Sequence, residues 1–194
     1  MSFPRLVRPE ETPRDALSER SDDELMLLAR AGVKAAFEVL VERHAVRVAR
    51  LCSRFVNDAD LGRELAQDCW VEVWRARDKY RGDGGFLPWL VTIARNACRN
   101  ALRRRKVRER ETTRSEVTPL PGQLDALIVA ERRKRVREAL SELSSTLREA
   151  LLLRYGEGLR YDEMTDVLDA GESTLRSRVH HGLKALKEKL EEES

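Results

Sequence analysis

Aromatic side chains make up only 5% of the 194 residues, as three Trp, three Tyr and four Phe. A core built on ring stacking is therefore excluded, and small cores of Leu, Val and Ala are left. Cysteine is as scarce. Cys52, Cys69 and Cys98 form no CxxC pair and have no paired histidines near them, so neither a disulfide framework nor a zinc site is expected. An odd number of thiols at helical core positions suits reduced, buried cysteines in a cytoplasm. No apolar run approaches the ~20 residues that cross a bilayer, so no membrane insertion is expected. Met1 to Arg20 is charged and contains proline, with no apolar stretch of the kind that marks a secretory signal. The chain also shows no nucleophile–base pair, metal-ligand spacing or strand-borne phosphate loop. No enzymatic activity, catalytic residue, cofactor or metal is expected.

What is present is charge, and a composition that favours helices. Asp, Glu, Lys and Arg make up 37% of the chain, yet the net charge is only +3. The distribution says more than the sum. Nine Arg or Lys lie between Arg95 and Arg114 against only Glu109 and Glu111, a local footprint suited to a polyanion. Abundant Ala, Leu, Glu and Arg point to an all-α fold.

Periodicity divides the chain into two small helical domains. Residues 1–20 read as a flexible tail, 21–106 as the first domain, 107–123 as a flexible linker rich in Thr, Ser and Pro, and 124–194 as the second domain. In the first domain, Ser21 and Glu24 form a capping box for a helix that stops at Gly32. A second helix carries Phe37, Leu40, Val41, His44, Val48, Leu51, Cys52 and Phe55 at three- and four-residue steps. A turn at Asn57–Asp60 leads to a third helix with Leu61, Leu65, Cys69 and Val73 on one face. Trp70, Trp74 and Trp89 read as core anchors. The Gly-rich loop Arg81–Phe86 precedes a fourth helix that tolerates Pro88 in its first turn. In the second domain, a helix over 124–142 is followed by one beginning at Ser145 or Thr146. Glu149 is placed to close a capping box from Thr146 in that helix. A short helix, Tyr161–Leu168, then a turn containing Gly171, then a long helix with Leu175, Val179, Leu186 and Leu190 inward, is a helix-turn-helix pattern.

Three polar surfaces stand out. On the fourth helix, Arg95, Asn96, Arg99, Asn100, Arg103 and Arg104 make a stripe with no acid between Arg95 and Arg108. Arginines track phosphates and amide side chains can reach bases, so the stripe with its loop suits separated strands. Non-specific duplex or RNA binding is the other reading. On the third helix, Glu64, Asp68 and Glu72 repeat at four-residue steps with Gln67 beside them. A stripe of one sign repels itself along a helix and is better explained by a basic partner. Acid–base catalysis would need a convergent His, Ser or Lys, and none is spaced to provide it. On the last helix, Ser173, Thr174, Arg176, Ser177, Arg178 and His181 offer the mix that a major-groove helix needs, with Arg178 the one most suited to a structural or phosphate role. A helix-turn-helix transcriptional regulator acting on duplex DNA by itself is one function that this pattern allows.

Two blocks of the sequence together resemble the extracytoplasmic-function (ECF) sigma factors of bacterial RNA polymerase. The first runs from Asp23-Glu24-Leu25 through Ala35-Ala36-Phe37, Glu64-Leu65-Ala66-Gln67-Asp68, Val73-Trp74-Arg75, Tyr80-Arg81-Gly82, Trp89-Leu90 and Ile93-Ala94-Arg95-Asn96, and is similar to sigma region 2. The second runs from Leu143 through Leu151-Leu152-Leu153-Arg154-Tyr155 and Glu157–Glu163 to Ser173–His180, and is similar to region 4. The resemblance implies that Glu64, Gln67 and Asp68 dock on the core polymerase. It implies that Arg81, Asp83, Phe86, Arg95, Asn96, Arg99, Asn100 and Arg103 melt and hold the −10 element. It implies that Ser173, Thr174, Arg176, Ser177, Arg178 and His181 read the −35 duplex, and that a separate anti-sigma factor regulates the protein. Gly62 departs from the family pattern, where a helix former is usual; so do Ser144-Ser145, Ala170 and His181-Gly182-Leu183.

Overall fold

The computed structural model describes residues 14–108 and 124–192, all helix, turn and loop with no strand among them. Among the described residues nine α-helices follow in order: α1 (Arg14–Ser18), α2 (Asp22–Arg30), α3 (Lys34–Val56), α4 (Ala59–Ala76), α5 (Phe86–Arg108), α6 (Leu124–Glu142), α7 (Ser145–Leu151), α8 (Tyr161–Leu168) and α9 (Glu172–Glu192). A 3₁₀ turn at Arg77–Lys79 follows α4, and a π turn at Leu152–Gly156 follows α7.

The helix boundaries follow from local chemistry. The Ser21 hydroxyl accepts from the Glu24 amide, and the Glu24 carboxylate accepts from the Ser21 amide at 2.9 Å, so the capping box is complete. Gly32 ends that turn at φ +98°. Between α3 and α4, Asn57 takes the left-handed conformation and the Asp58 carboxylate accepts from the amides of Asp60 and Leu61. The α8 start is held by Glu163, which accepts from the Arg160 amide at 2.7 Å.

In the N-terminal unit α3 is the central element, packed against α1, α2, α4 and α5. Its inward face, with Leu40, Val48, Leu51, Cys52 and Phe55, meets Leu65, Cys69 and Val73 of α4 and Leu90, Ala94 and Cys98 of α5. The three free thiols are fully buried in this core; burial holds the Cys69 thiol well above the usual thiol range, and a hydrogen bond with Cys52, with burial added to it, does the same for Cys98. In the C-terminal unit α9 packs on α6, α7 and α8 around Leu151, Leu153, Met164, Leu175 and Val179.

Three expectations change. Within the expected tail, α1 is ordered, with Leu17 fully buried against α3; residues 1–13 lie outside the described residues. Val107 and Arg108, expected in the linker, continue α5, while 109–123 lie outside the described residues. The capping box from Thr146 to Glu149 does not form. Ser144 occupies the N-cap of α7 without a side-chain cap bond, and Glu149 is drawn instead to Arg95.

Candidate nucleic-acid interface

Helix α5 buries Phe86, Leu90, Val91, Ala94 and Cys98, which leaves Asn96, Arg99, Asn100 and Arg103 exposed on the opposite side. Neither Arg99 nor Arg103 has an ion-pair partner among the described residues, so both cations are open to a polyanion. The loop before this helix turns on Gly82 (φ +80°) and Gly85 (φ +79°), positions that favour glycine. It holds Arg81 and Asp83 in solvent. Phe86 is placed differently from the sequence reading. It is 2% exposed and lies within ring-contact distance of His44, Tyr80 and Trp89, so it anchors the loop to the core. Tyr80 ties the same loop to α2. Its hydroxyl donates to the Asp23 carboxylate, and its carbonyl accepts from Arg30 at 2.9 Å. Burial, with the Asp23 bond added to it, pushes the Tyr80 phenol well above its ordinary range and keeps it protonated.

Arg95 is separated from the rest of its stripe. It is 8% exposed. Its Nε donates to the Glu149 carboxylate of α7 at 2.7 Å, and its Nη1 donates to the Val167 carbonyl near the end of α8 at 3.0 Å. A second cross-unit pair joins α3 to the residue that follows the π turn: Arg47 Nε donates to the Glu157 carboxylate at 2.6 Å, and Arg47 Nη2 donates to the Glu157 carbonyl. Sequence reasoning missed Arg47, Glu149 and Glu157. Opposite charge is their only sequence signal, and no spacing pairs residues 54 or 110 positions apart.

On α4, Leu65, Ala66, Cys69 and Val73 are buried, and Glu64, Gln67, Asp68 and Glu72 stand exposed on the other side. Glu72 pairs with Arg75 at 2.8 Å, whereas Glu64 and Asp68 have no ion-pair partner among the described residues. Trp70 and Trp74 are half-buried and flank Phe37, with ring centroids 5.9 and 5.0 Å away.

In the C-terminal unit α8 and α9 form the expected helix-turn-helix. The left-handed turn position is Asp169 (φ +49°), while the Gly171 carbonyl accepts from the Leu175 amide at 3.1 Å to start α9. Leu175 and Val179 point into the core; Ser173, Thr174, Arg176, Ser177 and His181 are exposed, and Arg178 is half-buried. Arg176 lies 4.4 Å over the Tyr161 ring and pairs with Glu172 at 3.0 Å, which fixes its stem across the two helices of the motif. His181 Nδ1 sits 2.8 Å from the Ser177 carbonyl.

Comparison with known proteins agrees with the two-unit helical fold. The family model for sigma-70 region 2 matches residues 40–108, and that for sigma-70 region 4 matches 133–186. The ECF RNA polymerase sigma-E factor of Escherichia coli (strain K12) is 30% identical over 187 residues, spanning 90% of this chain and 97% of that protein. Among solved structures, CnrH in complex with the cytosolic domain of CnrY superposes with a TM-score of 0.70 at 25% identity, over 89% of this chain and 99% of that one. The sigma factor RpoE of Bartonella quintana, in complex with the anti-sigma factor NepR, shares the fold with a TM-score of 0.67 at 24% identity, over 80% of this chain and 96% of that one. The chain therefore belongs to the sigma-70 family of RNA polymerase sigma factors, and within it to the ECF type.

Proposed function

We propose that this sigma factor docks on core RNA polymerase through Glu64, Gln67 and Asp68, seats α9 on −35 duplex, and holds the melted −10 strand on α5. The observation that carries this reading is the pair of unneutralised faces on one small unit. Glu64 and Asp68 of α4 and Arg99 and Arg103 of α5 all stand in solvent with no ion-pair partner among the described residues. Fold stability does not call for either. In the −10 site, Arg99 and Arg103 would follow phosphates, Asn96 and Asn100 would meet base edges, and the loop bearing Arg81 and Asp83 would receive an unstacked base. Unstacking costs a few kcal/mol, which these contacts must offset. In the −35 site, Arg176, Ser177, Ser173 and Thr174 would reach the major groove, with Arg178 and His181 toward phosphates.

The protein supplies no covalent chemistry in this reading; the polymerase does. It works in the cytoplasm, where polymerase and promoters are, and an anti-sigma factor controls it. The last point is supported by the solved relative bound to NepR.

The test is promoter opening by the holoenzyme. Arg99→Ala combined with Asn100→Ala should lower permanganate-detected strand opening by at least about tenfold, the loss expected of one or two base and phosphate contacts. Closed-complex binding should change far less. Equal loss in both, or no loss in either, removes the −10 assignment.

A further inference from the structure

One side of α2 is given over to the loop that precedes α5. Leu25, Met26 and Ala29 of α2 are buried in the core, whereas Asp23, Leu27 and Arg30 lie at i, i+4 and i+7 on the flank beside them. Two of these three hold opposite ends of Tyr80. The Asp23 carboxylate accepts from the Tyr80 hydroxyl, and Arg30 Nη1 donates to the Tyr80 carbonyl at 2.9 Å. The third meets the loop itself: a Cβ placed on Gly82 would lie 3.9 Å from Leu27 Cδ1. The far end of the loop is held by Phe86, whose ring lies 5.5 Å from that of His44 and 6.2 Å from that of Trp89. His44 Nε2 lies in turn 2.6 Å from the carboxylate of Asp22, the neighbour of Asp23 on α2. Both stems, Tyr80 and Phe86, are buried, while Arg81, Gly82, Asp83 and Gly84 between them stand in solvent.

A glycine-bearing loop loses much conformational freedom when it is ordered, and its stems decide how many shapes it samples. Ring packing holds the Phe86 end. At the other end a hydrogen bond on each side of Tyr80 fixes both its ring and its peptide plane. We propose that Asp23 and Arg30 are positioning residues, which orient Tyr80 so that the Arg81–Phe86 loop stands preformed to receive the unstacked −10 base. The proposal deepens the functional reading above and rests on it for the role of the loop, whereas the anchoring is a property of the chain alone. Neither residue touches the base. They act through the loop, by removing part of the ordering cost that base capture otherwise bears. A shape set in advance also favours one base over the others, because a loose loop adjusts to any of them.

The experiment uses holoenzyme formed with the full chain carrying Asp23→Ala, Asp23→Asn, Arg30→Gln, or Arg81→Ala with Asp83→Ala. The probe is a fork-junction DNA with a randomised unpaired −10 segment; bound molecules are sequenced, and base preference is read at each unpaired position. Trypsin cleavage of the free chain between Arg81 and Gly82, followed by mass spectrometry, reports the freedom of the loop. In Asp23→Ala and in Arg30→Gln cleavage should quicken, and preference should fall at the position that the Arg81/Asp83 variant also affects, each by about fivefold, the weight of one hydrogen bond. Preference at the other unpaired positions and association with core polymerase should stay at the parental level. Asp23→Asn still offers the phenol a carbonyl oxygen and should keep parental values throughout. An equal fall at every position marks a structural role alone and overturns the proposal. Unchanged cleavage in both Asp23→Ala and Arg30→Gln overturns it as well. Preference lost in the Arg81/Asp83 variant but kept in the α2 variants overturns the positioning role and leaves the loop in the −10 site. Quickened cleavage with unchanged preference in every variant removes the loop from the −10 site, and the proposal with it.

Discussion

Gly62 of α4 lies directly against the backbone of Ser53 on α3. A Cβ built on it would stand 2.5 Å from the Ser53 Cα and 2.6 Å from its amide nitrogen, and closer still to its hydroxyl. The glycine that departs from the family's usual helix former is thus the contact that lets two helices meet backbone to backbone. Gly62→Ala gains about 1 kcal/mol of helix propensity, but α4 must move away from α3. We expect a net loss of about 1–3 kcal/mol, as for other overpacked sites. Gly84→Ala, with open space at its Cβ and no positive φ, should stay within about 0.5 kcal/mol of the parent. Urea unfolding of the two variants checks the contrast.

The first turn of α2 should respond to acid through Glu24. Its carboxyl is held below the usual carboxylate range, first by the Ser21 amide, then by Arg20 and the Ser21 hydroxyl. A depressed carboxylate contributes stability that is present above its unfolded pKa and is lost as pH falls through its folded pKa. NMR titration should find the Glu24 midpoint lower than that of a free glutamate. Glu24→Gln should abolish this acid-dependent loosening of α2, and an unshifted midpoint would contradict the capping geometry.

Asp169 should prove more sensitive than Gly171 to the choice of side chain. Asp tolerates the left-handed conformation, whereas a β-branched residue there is strained. Asp169→Val should cost about 1–2 kcal/mol and weaken binding of a −35 duplex by loosening the angle between α8 and α9. Asp169→Gly should preserve both. Thermal melting and a gel shift with holoenzyme measure the two effects.

Polymerase docking should depend on the sign of the α4 face. Glu64→Lys with Asp68→Lys places like charge where the proposal puts a basic partner surface. Both positions are exposed and have no ion-pair partner among the described residues, so the fold should be unaffected. Co-purification with core polymerase should fall by at least about tenfold, consistent with one or two lost interfacial charge contacts. Unchanged association would remove Glu64 and Asp68 from the docking site.

Much of this architecture was legible because helices announce themselves locally. The capping box at Ser21–Glu24, the turn at Asn57–Asp58 and the helix-turn-helix over 161–192 appear where period and cap residues place them. The exposed faces of α4 and α5 follow from the same period. Contacts set by packing were not legible. Leu17 is one apolar residue in a charged segment, with no period to mark α1. Gly62 reads as a weak point until its neighbour is known. Phe86 sits at the edge of a polar loop, and only the fold shows that His44, Tyr80 and Trp89 enclose it. Glu149 had a plausible local role as a capping residue and lost it to Arg95, because a desolvated arginine outweighs an exposed cap.

The central claim concerns initiation: bound to core polymerase, this chain chooses where transcription starts. Run-off transcription from a randomised promoter library, with core enzyme in the presence and absence of the protein, tests it most directly. The account predicts discrete transcripts only when the protein is present, enriched for one pair of upstream elements at fixed separation. Tight binding to duplex DNA without the enzyme, and no start site selected with it, would contradict the account and favour a regulator that acts on DNA alone.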